Sequence, residues 1–418
     1  MNARILSGLL LLPTVACAHQ SEPSPEGTWF KGNTHTHTLW SDGDGAPEMA
    51  VALYKDLGYQ FLVLSDHNVF QDMERWFPVT EHGEGRLGPA ELDMIVKKFG
   101  TDAVELREIN GRQEMRLLTL SELAQRFEEP GRFLLVPGEE VTASFDGHPV
   151  HINAVNIAGQ IPPLERDSVS DLLNDTLDAI TAHGVEHGRE VMAHLNHPNF
   201  GWGISWQEVA SMRSDRFFEV YNGHRGVRNQ GDSDHPSTEE IWDLSLVLRL
   251  TELGLPLLFG VATDDAHHYH GSETAQPGRG WIMVRATDLE SDSLVGAMKS
   301  GDFYASSGVT LREVVRGEHL YRVEIEAMPD VVYTTRFLGT RMLEGQPGAP
   351  GEVLMETTDN PAVYTFRGDE LYVRAVVTSS VDHPNPYAEG DKEAAWAQPV
   401  QVVGAQKESG FGYAPKPL

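Results

Sequence analysis

Asn33-Thr34-His35-Thr36-His37-Thr38-Leu39-Trp40-Ser41-Asp42 follows directly on an apolar, β-rich run at residues 29–33, and its reading decides the fold. On an extended chain, side chains two apart point the same way, so His35 and His37 can chelate one ion. A lone His-x-His pair would mean little, but the pattern of an apolar run ending in imidazole or carboxylate recurs. Residues 61–65 end in Asp66-His67-Asn68, and 133–137 end in Gly138-Glu139-Glu140. The run 150–157 opens with Gly147-His148-Pro149-Val150-His151. Residues 191–195 lead through His194 to Asn196-His197-Pro198, and 217–221 lead from Glu219 to Asn222-Gly223-His224-Arg225. Residues 257–261 lead to Asp264-Asp265-Ala266-His267-His268.

Between these runs lie amphipathic stretches, at 47–57, 170–183 and 238–252, that suit crossover helices. With a further strand candidate at 281–284, seven or eight strand–helix units predict a closed parallel barrel over residues 29–316. Residues 69–132 are too long for a loop and carry helical patterns of their own (89–99 and 120–128), so they read as an insertion beside the strand ends. From 317 to 405 the runs alternate and are separated by Gly/Pro turns, which predicts a small β-sandwich, followed by a tail at 406–418.

Catalytic groups of parallel barrels gather at the C-terminal strand ends, and here successive strands deliver imidazole or carboxylate to that one rim. Burying so many ionisable groups together is costly unless cations compensate them. The donors outnumber what one tetrahedral ion can use, so the site reads as polynuclear. Barrels that open with His-x-His often bridge their metals with a carboxylated lysine. The only lysines between His67 and His197 are Lys97 and Lys98, adjacent on a predicted insertion helix. Glu140, ending a buried strand, is the better bridging group.

The order His35-x-His37, Asp42, Asp66-His67, Glu140, His151, His197-Pro198 and Asp265-Ala-His267 resembles the polymerase-and-histidinol-phosphatase (PHP) superfamily. Tyr221-Asn-Gly-His224, Ile241-Trp-Asp243, Asp264–Tyr269 and Trp396-Ala-Gln-Pro399 are similar to an exported branch of metallohydrolases related to carbaryl hydrolase. The resemblance implies an α/β fold, a distorted (β/α)7 barrel, holding two or three divalent ions (zinc, manganese or iron). It implies a first ion on His35, His37, Glu140 and Asp265, a second sharing Glu140 with His151 and His197, and a third on Asp42, His67 and His267. Asp42 adds a hard oxygen donor, which favours manganese or iron over zinc there. Two ions roughly 3.5–4 Å apart would share a water and supply a bridging hydroxide near neutral pH. Asp265 is then the expected proton acceptor. His194, His224 and His268 are candidates for leaving-group acid or oxyanion contact, and Arg225 for bidentate phosphate binding. Asp66, Glu139, Glu219 and Asp264 are expected to orient the ligands, with Asn68 and Asn222 as pocket donors.

The expected activity is phosphoester hydrolysis on a small-molecule ester. The alternatives are carbamate, carboxylester or amide hydrolysis and, more remotely, a binding protein without catalysis. Lys plus Arg number 32 against 62 Asp plus Glu, a net charge of −30, and no basic cluster offers a nucleic-acid groove. Residues 1–18 (a short positive start, Ile5–Leu12, then small residues around Cys17) predict an export signal too short to span a bilayer. Cleavage before Cys17 would leave a lipid anchor, and cleavage after Ala18 a secreted product, with 19–28 as a tether in either case. The expected location is periplasmic, lipid-anchored or secreted.

Overall fold

The computed structural model describes residues 27–80, 86–270 and 275–402. The expected signal segment, most of the tether and the tail lie outside the described residues. The molecule is a mixed α/β fold organised on one large mixed sheet. Seven strands carry the rim: β1 (Thr28–Asn33), β2 (Phe61–Leu64), β3 (Leu134–Phe145), β4 (His148–Val155), β5 (Met192–Leu195), β6 (Phe217–Asn222) and β7 (Phe259–Thr263). They lie side by side in the order β7-β6-β5-β4-β3-β2-β1. β2, β5, β6 and β7 are buried along their whole length, as continuous apolar runs covered on both faces must be.

The strands are not joined into a closed parallel barrel. β7 and β1 share no ladder; just beyond the strands a bridge joins Thr36 and Ala266. There His37 N–H donates to Ala266 O (2.9 Å) and Asp265 N–H to His35 O (3.1 Å). β4 runs antiparallel to both neighbours. The cause is local: Asp146 and Gly147, at φ 47° and 81°, reverse the chain in two residues, leaving no length for a crossover helix. The run at 281–284 is not a further barrel strand either. It belongs to β8 (Trp281–Ala286), which pairs antiparallel with β1 and leads into β9 (Phe303–Ser306).

Helices flank the strands. α1 (Pro47–Asp56) starts on proline with Glu48 in its first turn, and α2 (Val169–His187) is capped by Ser168 and stopped by left-handed Gly188. α3 (Trp206–Ala210) and α4 (Thr238–Leu248) open on reciprocal Ser/Glu capping boxes, and α5 (Ser291–Lys299) covers β8.

The C-terminal part adds β10 (Leu311–Arg316), β11 (Leu320–Ile325), β12 (Tyr333–Leu343), β13 (Glu352–Thr357), β14 (Ala362–Thr365), β15 (Glu370–Asp382) and β16 (Lys392–Gln401). β16, β15, β12 and β13 continue the large sheet outward from β9, while β10, β11 and β14 form a three-stranded sheet. The two layers share one apolar core built around Tyr321, Val323, Phe337, Tyr364 and Val373. The insertion carries a separate three-stranded sheet and the helices Pro89–Phe99 and Leu120–Phe127. Its Phe77, Ile95 and Leu117 pack on Leu39 and Trp40, and Leu118 O accepts from Trp40 Nε1 (3.0 Å). The insertion thus grips the loop that carries Asp42. No described helix is long and apolar enough to cross a membrane.

Candidate metal centre

The nine residues expected as ligands come together at the rim, in four overlapping groups whose donor atoms lie within 4.8 Å of one another. These are His37, Asp42, His67 and His267; His35, Glu140 and His197; His35, His37 and Asp265; and His67, Glu140 and His151. The Nε2 atoms of His35 and His37 approach to 3.1 Å, each 3.2 Å from Asp265 Oδ1. Glu140 has Oε1 3.5 Å from His35 Nε2, 3.1 Å from His151 Nδ1 and 3.5 Å from His197 Nε2, with Oε2 3.4 Å from His37 Nε2. Asp42 lies 3.4 Å from His67 Nε2 and 3.3 Å from His267 Nε2.

Backbone geometry is spent on this convergence. His197 and Asp265 stand at φ 26° and 49°, in the left-handed region that residues with a Cβ rarely adopt. The strand ends break there and turn both side chains inward.

Several of the donors are held from behind. Glu219 Oε1 takes the Nδ1 proton of His35 at 2.6 Å and the Thr263 hydroxyl at 2.6 Å, which leaves His35 Nε2 to face the cluster. Its Oε2 accepts from His197 N–H (2.7 Å) and Asn222 Nδ2 (2.8 Å). Asp66 accepts from Thr38 N–H (2.7 Å), Ser41 Oγ (2.6 Å) and Gln71 Nε2 (3.0 Å), fixing the turn before Asp42. Asp264 faces away from the cluster, taking Asn33 Nδ2, the Tyr54 hydroxyl and three backbone N–H groups. Glu139 also points elsewhere, accepting from Ile161 N–H.

The donor set fits divalent cations. Burial alone would raise the carboxyls of Glu140 and Asp265, yet the surrounding imidazoles hold both well below the usual carboxylate range. Burial would likewise lower His35, but Asp265, Glu219 and Glu140 hold it well above its ordinary value. Buried carboxylates that must recruit positive charge are what a cation would satisfy. Glu140 Oε2 and His151 Nδ1 are buried without a hydrogen-bond partner, free to serve as ligands. Glu140 Oε2 sits 2.7 Å from His67 Nδ1, but the hydrogen bond of that nitrogen goes to Thr142 Oγ1 at 2.6 Å.

The remaining candidates separate. His224 Nδ1 accepts from Gly226 N–H (2.9 Å), so its neutral ring carries the proton on Nε2 and offers a donor. His268 Nδ1 accepts from Ala275 N–H at 3.3 Å. His194 does not fit the leaving-group role: it is fully buried near His35, and burial lowers it to about 4. Arg225 is engaged elsewhere: its exposed guanidinium donates to Pro386 O (3.2 Å) in the C-terminal part. Asn68 is a turn residue, bonded in both directions to the Thr142 backbone. Asn222 braces Glu219 and Asp265 rather than lining an open pocket.

Sequence reasoning missed Asn153 and Asn196. Asn196 Nδ2 donates to Glu140 Oε1 (2.7 Å) and to Asn153 Oδ1 (2.9 Å), while Asn153 Nδ2 donates to Thr34 O (2.7 Å). Together they tie Glu140 to the chain just before His35. The one available signal was that Asn196 adjoins His197.

No protein-family model and no curated protein matches the chain. Among solved structures it is similar to a two-domain protein from Bacteroides vulgatus containing a predicted PHP-like metal-dependent phosphoesterase, at 17% identity and a TM-score of 0.38, covering 93% of this chain and 99% of that one. It is also similar to a candidate metal-dependent phosphoesterase from Bifidobacterium adolescentis (14%, TM-score 0.30, 65% and 96%). A third is an amidohydrolase from Chromobacterium violaceum with bound sulfate (14%, TM-score 0.28, 59% and 90%). At these scores the likenesses assign this chain neither fold nor activity.

Proposed function

We propose that the chain is a metal-dependent hydrolase of small-molecule phosphate esters. The observation that carries this reading is the convergence of nine imidazole and carboxylate donors on one rim, with Glu140 common to two of the groups. Bound there, divalent ions would acidify a shared water and polarise the ester oxygen. The protein's own groups supply the rest. Asp265 Oδ2, braced by Asn222 Nδ2 at 3.2 Å, is the acceptor for the proton of the attacking water. The Nε2–H of His224 offers a hydrogen bond to the leaving oxygen. Glu219 and the Asn153–Asn196 pair keep His35 and Glu140 aimed inward.

The order of the motifs supports the PHP-type assignment and its exported branch, and we include both in the proposal, with two or three zinc, manganese or iron ions. Phosphoryl centres offer several oxygens for ions to hold, whereas a carbamate offers one carbonyl oxygen, which supports phosphate esters over carbamates. We also propose export through residues 1–18, with Cys17 as the lipid site; Cys17→Ala should then release a membrane-retained protein into the soluble fraction.

The test is metal analysis of the purified protein followed by matched nitrophenyl phosphate, carboxylester and carbamate substrates. More than one metal per chain, loss of activity on chelation and its return on metal addition, and the highest kcat/KM on phosphate are the expected results. Faster carbamate turnover would replace phosphoester with carbamate hydrolysis. A metal-loaded protein inert on every ester would make it a binding protein.

A further inference from the structure

Phe200 interrupts an otherwise polar rim. It lies three residues beyond His197, and its ring centroid is 5.2 Å from that of His197, 6.4 Å from His151 and 6.5 Å from His224. His197 and most of the cluster are buried, yet Phe200 is 36% exposed. The ring stands open to solvent beside three histidines of the polar site, where it offers an apolar contact to whatever the site binds.

The loop that presents it is pinned. Trp202, two residues on, holds φ at 55°, a strained value for a residue with a Cβ. Its indole lies flat on His235 (4.0 Å, 8°), with the Arg228 guanidinium 4.7 Å from the same ring. Asn199 Nδ2 donates to Arg228 O (2.9 Å) and Pro236 O (3.0 Å), tying the loop to the segment after β6. At Gly203 a Cβ would come within 2.7 Å of Pro149 O, so the loop lies hard against the start of β4. These contacts fix where the Phe200 ring stands. His224 stands edge-on to it at 89°, with its Nε2 proton unclaimed by the contact to Gly226.

We propose that Phe200 is the specificity wall of this site and selects substrates whose leaving group is aromatic. The proposal rests on the hydrolase reading above and narrows its substrate class to aryl esters. A leaving oxygen that accepts a hydrogen bond from His224 Nε2–H lays its carbon skeleton against Phe200; an aryl group fills that contact and a methyl group does not. Ring-on-ring packing of this kind corresponds to about a tenfold preference.

The test uses the metal-loaded full chain and two non-hydrolysable probes of equal charge, phenylphosphonate and methylphosphonate, titrated by calorimetry. The parent should bind the phenyl probe about tenfold more tightly. Phe200→Ala should erase most of that ratio, and Phe200→Leu should leave an intermediate one, each with metal content equal to the parent. Equal affinities in the parent, or an undiminished ratio in Phe200→Ala, would overturn the proposal. A parallel series with phenyl and methyl phosphate esters reads the reaction itself. If the probes discriminate but no ester turns over, the hydrolase reading fails and the apolar wall stands. If esters turn over with no phenyl preference, the wall fails and the hydrolase reading stands.

Discussion

The side-chain amide of Gln398 and the backbone of Gly260 exchange two hydrogen bonds: Gly260 N–H donates to Oε1 at 2.9 Å, and Nε2 donates to Gly260 O at 2.8 Å. Gly260 lies in β7, the last strand of the rim sheet, and Gln398 lies in β16 of the C-terminal part, fully buried. One amide thus takes the place of a neighbouring strand on the open edge of β7. The glycine is required, because a Cβ there would meet the Trp242 ring at 2.9 Å.

Gln398→Glu keeps one acceptor, removes the donor and buries a charge. Leaving Gly260 O unsatisfied costs about 1–3 kcal/mol, and the charge adds to it. The expected loss of unfolding free energy is about 3 kcal/mol or more, read from the denaturation midpoint. A midpoint equal to the parent's would mean that the C-terminal sheet does not brace β7.

How far the sequence carries depends on how local each signal is. His35, His37, Glu140, His197 and Asp265 are legible because each sits at the end of its own apolar run, and strand direction carries it to the rim. The turn at Asp146-Gly147 was equally local, and its dipeptide is a hairpin signal; taking β3 and β4 as separate parallel strands passed over it. Gln398 and Gly260 are 138 residues apart, and nothing near either announces the pairing. Asn153 and Asn196 are silent for a related reason, since a buried asparagine has no periodicity and gains meaning only when Glu140 and Thr34 are brought beside it. Arg225 looked like a phosphate ligand because it follows His224, and only the tertiary fold gives it Pro386.

Glu140 and Glu139 are adjacent on β3, and alternation along a strand sends them to opposite faces. Glu140→Gln removes a charged donor from two candidate groups and should lower metal content by more than one ion per chain as well as the rate. Glu139→Gln should leave metal content at the parent level, because Glu139 is bonded to Ile161 N–H instead. Elemental analysis of the two variants after the same reconstitution decides between them; the reverse order would invert the facing of β3.

Glu48, in the first turn of α1, is buried with Oε2 unpartnered, and burial pushes its carboxyl up to about 7 from an ordinary 4.5. Below 4.5 the group is protonated in both states and favours neither. Between 4.5 and 7 the unfolded chain releases the proton while the folded one keeps it, so stability falls as pH rises. The penalty is complete above 7 and amounts to about 3 kcal/mol. Glu48→Gln should therefore be more stable than the parent at pH 8, with that difference shrinking towards pH 5. Taking the difference between the two proteins at each pH cancels the titration of the metal site. A difference independent of pH would place the Glu48 carboxyl in a polar setting.

Glu219 is the group through which the cluster is most exposed to a single change. It receives four hydrogen bonds, two on each oxygen: His35 and Thr263 on Oε1, and His197 N–H and Asn222 on Oε2. All four partners donate. A glutamine of the same shape has one accepting oxygen, so whichever side its amide nitrogen takes must face donors with a donor. If the nitrogen faces His35, the ring loses the acceptor that keeps its proton on Nδ1 and its lone pair towards the rim. If it faces His197, the backbone amide that supports that residue's strained φ is repelled. Either way one predicted ligand is misdirected without being removed. Glu219→Gln should keep the fold and weaken metal binding by about 10–100-fold, measured by competition with a chromophoric chelator. Glu219→Asp, which restores the charge on a shorter stem, should recover only part of that loss. Unchanged affinity in Glu219→Gln would show that His35 is held by the ions alone.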